Sequence, residues 1–108
     1  MLYTTQRYQD ATGKVPYTEW IKRLRKKDPR AAAKIDIRID RAESGNFGDH
    51  KFELDGVWEL RIDYGPGYRV YYALDGERII ILLVGGDKFT QANDLMKAVK
   101  FWRDYQKR

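Results

Sequence analysis

The sequence predicts an α+β domain in which helices pack on one side of a small, mainly antiparallel sheet, in the order β-α-α-β-β-β-α. Three observations predict it. Two helical apolar patterns come first, three consecutive strand patterns follow, and a third helical pattern closes the chain. With 108 residues, one core is expected and a second is not. Hydrophobic residues make up 43% and charged ones 34%, a globular rather than a disordered balance.

Leu2 to Gln9 is β-prone and reads as an edge strand, after which Asp10-Ala-Thr-Gly13 turns the chain. Pro16 marks a helix start, and Tyr17, Trp20, Ile21 and Leu24 follow at the spacing of one helical face. Lys27-Asp28-Pro29 ends that helix. Ala31 to Ala42 fits two patterns. Ile35, Ile37 and Ile39 alternate as in a strand, whereas Ala32, Ile35, Ile39 and Ala42 share a helical face. The alanine-rich start and the stop signal at Gly45 decide for a helix antiparallel to the first. The exposed faces of this pair carry Lys22, Arg23, Lys26, Lys27, Arg38 and Arg41, a basic surface suited to RNA.

Asn46 to Lys51 reads as a loop. Beyond it Trp58, Leu60 and Ile62 take one face of a strand, and Glu59, Arg61 and Asp63 the other. Tyr64-Gly-Pro-Gly67 is a tight turn into Tyr68 to Leu74, where Arg69 and Tyr71 lie opposite Tyr68, Val70 and Tyr72. Asp75-Gly76 signals a two-residue hairpin. Ile79 to Val84 is apolar on both faces and belongs inside the sheet. Thr90 is placed to cap a final helix whose Leu95, Ala98, Val99 and Trp102 form its buried stripe.

Several classes are excluded. Without cysteine there is neither a disulfide framework nor a thiolate metal site. The longest apolar run, Ile79 to Val84, is too short to cross a bilayer, and the first residues contain no apolar stretch of a signal peptide. A cytoplasmic protein is expected. No P-loop occurs, no His/Cys/Asp cluster has metal spacing, and no serine nucleophile has a partner, so no cofactor or metal is expected. The 21 Lys+Arg against 16 Asp+Glu favour an anionic partner, either nucleic acid or an acidic protein.

The chemistry-bearing candidates are Arg61, Arg69 and Lys88. Paired strands put both arginines on one face, and Lys88 leaves the last strand after Gly85-Gly86, where backbone can approach a ligand. Three cations there would bind a phosphodiester and stabilise the added charge of its transition state. The plainer reading pairs them with Glu59, Asp63 and Asp87 on a solvated sheet. RNA cleavage by a ribose 2′-hydroxyl also needs a proton acceptor, and Glu59, two residues from Arg61, is the candidate. His50, the single histidine, reads as a surface loop residue. Tyr71 is the tyrosine expected to face outward and stack on a base.

Five phrases carry a resemblance: Pro16-Tyr-Thr-Glu-Trp20, Gly45-Asn-Phe-Gly-Asp49, Gly56-Val-Trp-Glu-Leu-Arg-Ile62, Gly65-Pro-Gly-Tyr-Arg-Val-Tyr-Tyr72, and Gly85-Gly-Asp-Lys88 with Gln91. In order and spacing they resemble the addiction-module killer branch of the RelE/ParE toxin superfamily, also described as HigB-like or phage-derived Gp49-like. The resemblance implies a small antiparallel sheet with two N-terminal helices and a C-terminal one. It also implies a type II toxin that cuts mRNA in the ribosomal A site without metal, and a cognate antitoxin, usually a helix-turn-helix protein. Arg69 matches the arginine such enzymes place near the scissile phosphate. Arg61 and Lys88 fall at or near their other basic positions. The tyrosine or histidine these enzymes carry near the final helix has no counterpart in Gln91-Ala-Asn-Asp94. The same superfamily includes toxins that poison DNA gyrase and cut no RNA, which is the alternative implied.

Overall fold

The computed structural model describes residues 2–108; Met1 lies outside the described residues. In chain order the elements are β1 (Thr4–Arg7), α1 (Pro16–Lys27), α2 (Pro29–Glu43), β2 (His50–Leu54), β3 (Val57–Ile62), β4 (Tyr68–Asp75), β5 (Ile79–Asp87) and α3 (Gln91–Gln106). The strands form one mixed sheet in the order β1-β5-β4-β3-β2, with β1 parallel to β5 and every other pair antiparallel. The fold is α+β, and β1 is an edge strand as its sequence suggests.

The expectation that all helices lie on one side is corrected. β5 is buried on both faces and divides the core in two. Ile80 and Leu82 point with Leu60, Ile62, Val70 and Tyr72 toward α1 and α2. Ile81 and Leu83 point with Val57, Tyr71 and Ala73 toward Ala98, Val99 and Trp102 of α3. A strand apolar on both faces needs a cover on each, and α3 supplies the second.

The helix pair turns sharply because Asp28 serves both ends. Its amide donates to the Leu24 carbonyl at 2.6 Å and its Oδ1 accepts from the Ala31 amide at 3.2 Å, with Pro29 opening α2. Ala31, Ala32 and Ile35 are then buried, so the helical reading of that segment holds. His50 and Lys51 prove to open strand β2, which carries a bulge between Phe52 and Leu54. The β4–β5 hairpin is one residue longer than expected. Asp75 pairs with Ile79 across Gly76-Glu77-Arg78, and Gly76 takes φ 68°. Thr90 occupies the N-cap of α3, but its hydroxyl donates to the Asp94 carboxylate instead of capping an amide. Among the described residues no helix is long and apolar enough to cross a membrane.

The end of β5 is fitted to glycine. A Cβ at Gly85 would enter the Trp20 ring from α1, and one at Gly86 would enter the Asp94 carboxylate from α3. Gly85→Ala should therefore destabilise the protein by about 1–3 kcal/mol in urea unfolding, as overpacking does. An unchanged midpoint would show that Trp20 is not locked against β5.

Candidate functional site

Antiparallel pairing places Arg61 of β3 directly opposite Arg69 of β4, and Arg69 opposite Gly86 of β5. The Gly65–Gly67 turn closes over this end of the sheet. The Gly67 carbonyl accepts from the Lys88 amide at 2.9 Å, which brings the chain leaving β5 alongside. Arg61, Arg69 and Lys88 consequently line one cavity of about 320 Å³, with Asp49, Asp63 and the turn residues.

Like charges facing each other across strands repel, and each arginine here has its own carboxylate. Arg61 Nη2 and Nε lie 2.8 and 3.1 Å from Asp49 Oδ1, a residue the sequence reading did not single out. Arg69 Nε lies 2.8 Å from Glu59 Oε1. Of the partners expected from sequence, only Glu59 takes that part. Asp63 lines the cavity without an ion pair, and Asp87 accepts turn amides instead. Among the described residues Lys88 is exposed and has no carboxylate within ion-pair distance.

Glu59 is the buried charge beneath this cavity. Its residue is fully enclosed, and its Oε1 receives the Tyr71 hydroxyl at 3.2 Å and the Gln91 side-chain amide at 3.3 Å. Its contact with Arg69 is electrostatic, not a directed hydrogen bond, and Glu59 Oε2 and Arg69 Nε are both left without a hydrogen bond. Burial raises the pKa of the Glu59 carboxyl, and Glu53, set at the β2 bulge, raises it further. Glu53 Oε2 is likewise buried without a partner. The bulge thus places Glu53 where it crowds the Glu59 carboxyl beneath the site.

This geometry corrects three expectations. Glu59 has no exposed surface and cannot meet a 2′-hydroxyl as a base; it acts on Arg69. Tyr71 does not face outward, because α3 covers it and its hydroxyl lies between Glu59 and the Gln91 carbonyl. Arg38 does not lie on an open helical face. Its guanidinium donates to the carbonyls of Arg61, Phe47 and Asp49 at 2.6, 3.0 and 3.0 Å, clamping the loop that carries Asp49. Lys22, Arg23, Lys26, Lys27 and Arg41 are exposed as expected, but none lines the cavity of Arg61, Arg69 and Lys88. Arg23 lines a separate cleft of about 500 Å³ with Trp20, Asp94 and Lys97. His50 stacks between Phe47 and Trp58 at 5.5 and 5.2 Å, its Nδ1 3.0 Å from the Tyr72 hydroxyl, on the sheet face opposite Glu59.

Comparison with known proteins agrees in extent with this architecture. The family model described as "Phage derived protein Gp49-like (DUF891)" matches residues 19–100, from within α1 into α3. An "Uncharacterized protein" of Haemophilus influenzae (strain ATCC 51907 / DSM 11121 / KW20 / Rd) is 50% identical over 82 residues, covering 76% of this chain and 81% of that one.

The carboxyl pair makes stability depend on pH. Because the folded protein raises the Glu59 pKa, this group's contribution is full below the unfolded carboxyl value and is lost as pH rises through the folded one. Glu53→Gln removes the like charge. In urea unfolding it should exceed the parent by on the order of 1 kcal/mol near neutrality, with the gap closing toward about pH 4. A gap that does not vary with pH would show that the two carboxyls do not interact.

Proposed function

Because the chain belongs to the phage-derived Gp49-like family, within the RelE/ParE-like toxin grouping, we propose that it is the toxin of a type II toxin–antitoxin module and cleaves mRNA on the ribosome. The convergence of Arg61, Arg69 and Lys88 on one cavity is the observation that carries this reading. A toxin acting only by docking on a protein needs no cluster of cations shaped for a phosphate.

In the reaction proposed, the 2′-oxygen attacks the adjacent phosphorus in line and the bond from phosphorus to the 5′-oxygen breaks. The products are a 2′,3′-cyclic phosphate and a 5′-hydroxyl. Charge grows on the non-bridging oxygens, where the guanidiniums of Arg61 and Arg69 stabilise it. Glu59 holds Arg69 through Nε, which leaves the terminal nitrogens to meet phosphate. Lys88, without a carboxylate partner among the described residues, is the group suited to protonate the leaving 5′-oxygen. Asp49 is engaged by Arg61, so Asp63 is the lining carboxylate open to the 2′ proton. A carboxylate is a weak base for a hydroxyl. Holding the RNA in line, which a ribosome would do, therefore contributes most of the acceleration.

The partners that complete this reading are the ribosome with its mRNA and an antitoxin encoded beside the toxin, of helix-turn-helix type. An acidic antitoxin segment over the cavity would neutralise it directly through the same three cations.

Primer extension on a defined mRNA, with translating ribosomes and with ribosome-free RNA, tests the proposal. Cuts should appear only on ribosomes. Arg69→Ala should lower their rate by about 100-fold or more, the loss typical of a transition-state donor, and Lys88→Gln should slow them comparably. Growth arrest without cuts, undiminished by Arg69→Ala, would overturn the nuclease reading in favour of a gyrase-directed toxin.

A further inference from the structure

Read as a phosphodiester site, the cavity supplies charge, and Tyr68, the aromatic in its lining, is buried. The ring next to Lys88 in sequence has no role in the core. Phe89 is 78% exposed, more than Met96, Leu2 or any other large hydrophobic among the described residues. A phenylalanine left in water forgoes roughly 1.5–3 kcal/mol of burial, and a lone exposed hydrophobe is common enough to carry nothing by itself. Its placement is what sets Phe89 apart. Lys88, the cation of the cavity without a carboxylate partner among the described residues, holds its Nζ 5.3 Å from the centre of the Phe89 ring. The backbone beneath the ring is fixed, since Asp87 Oδ1 accepts from the amides of Phe89 and Thr90 at 2.8 and 3.2 Å and α3 begins at Gln91. Tyr71, the aromatic that sequence suggested for this task, is enclosed beneath α3.

A phosphodiester in the cavity carries a nucleoside on each side, so a base adjoins Lys88 and, with it, the Phe89 ring. We propose that Phe89 is the stacking platform for an unpaired base flanking the phosphate held by Arg61, Arg69 and Lys88, so that the site takes single-stranded RNA and rejects duplex. This rests on reading the cavity as a phosphodiester site. A base in a duplex already has both faces covered and offers none to the ring. Stacking is tolerant of sequence, because every base has a π-face. The platform therefore selects strandedness and leaves codon choice to other contacts.

Binding of a trinucleotide methylated at every 2′-oxygen, which the protein cannot cleave, separates this proposal from the reading beneath it. The titration is followed by proton NMR at low salt with the parent protein, Phe89→Ala, Phe89→Trp and Arg69→Ala. The Phe89 ring protons should move upfield as the base stacks. Phe89→Ala should weaken binding about 5- to 100-fold, the range of one base–aromatic stack, and Phe89→Trp should restore it. An otherwise identical oligonucleotide without bases should bind the parent and Phe89→Ala alike. If Phe89→Ala binds the trinucleotide as the parent does while Arg69→Ala binds it weakly, the platform is wrong, the cavity reading stands, and the ring is left for a protein partner. If the parent takes up no oligonucleotide, both fall.

Discussion

The whole arrangement depends on β5 being buried on both faces. Four apolar residues in a row, Ile80 to Leu83, send alternate side chains into two separate cores, and each core requires its own helical cover. Gly85 and Gly86 continue the same demand past the apolar run. One lets Trp20 of α1 close against the strand and the other lets Asp94 of α3 do so. With both sides closed, the chain emerges at Asp87 in a single direction. Lys88 is thereby delivered to the Gly67 carbonyl and to the two arginines. The site is a consequence of how the central strand ends.

Electrostatics then divides the charged residues into those that act on a ligand and those that hold the former in place. Two arginines face each other across β3 and β4, which is tolerable only because Asp49 and Glu59 take up one each. The two pairs differ in kind. Asp49 is solvated and tied to a loop that Arg38 clamps, so Arg61 can give up that partner at little cost. Glu59 is enclosed, crowded by Glu53 and short of hydrogen bonds, so removing Arg69 from it would leave a buried charge uncompensated. Arg69 is therefore the fixed cation of the site and Arg61 the adjustable one.

Most of the fold was legible because periodicity and punctuation agreed. Pro16, Asp28-Pro29 and Gly45 bound two helices, and the alternation of Trp58, Leu60 and Ile62 assigns the faces of β3 correctly. The approach of Arg61, Arg69 and Lys88 was legible for the same reason, since it follows from hairpin pairing alone. What escaped depends on tertiary cover. Tyr71 alternates outward from the first core but lies inside the second, and the both-faced apolarity of Ile79 to Val84 was the available signal that a second core existed. Arg38 looks like a surface cation until the Phe47–Asp49 carbonyls come within its reach. Glu53 gives no sequence signal at all, because a β-bulge decides which carboxylate it meets. Phe89 gives no sequence signal for the opposite reason: apolar residues point inward by default, and only the fold leaves this one outside.

Charge and proton transfer are unevenly provided in this site, and that asymmetry bears on where it can work. Cations are abundant, enclosed on one side and already oriented. Of the groups that could exchange protons, Lys88 and Asp63 line the cavity, whereas Glu59 and Tyr71 lie under α3 and His50 stacks on the far face of the sheet. Burial and the Glu59 carboxylate both raise the pKa of the Tyr71 hydroxyl, which makes it a poor acid as well as an inaccessible one. A surface built this way stabilises a transition state better than it starts the reaction. It would bind free RNA largely through charge, with a strong dependence on salt, and turn it over slowly. The proposed reaction would become effective when a second body aligns the 2′-oxygen with the phosphorus, because alignment lowers the demand on the base. On the proposed reading, dependence on a ribosome is not an added regulation but the behaviour expected of a site rich in cations and without a strong base.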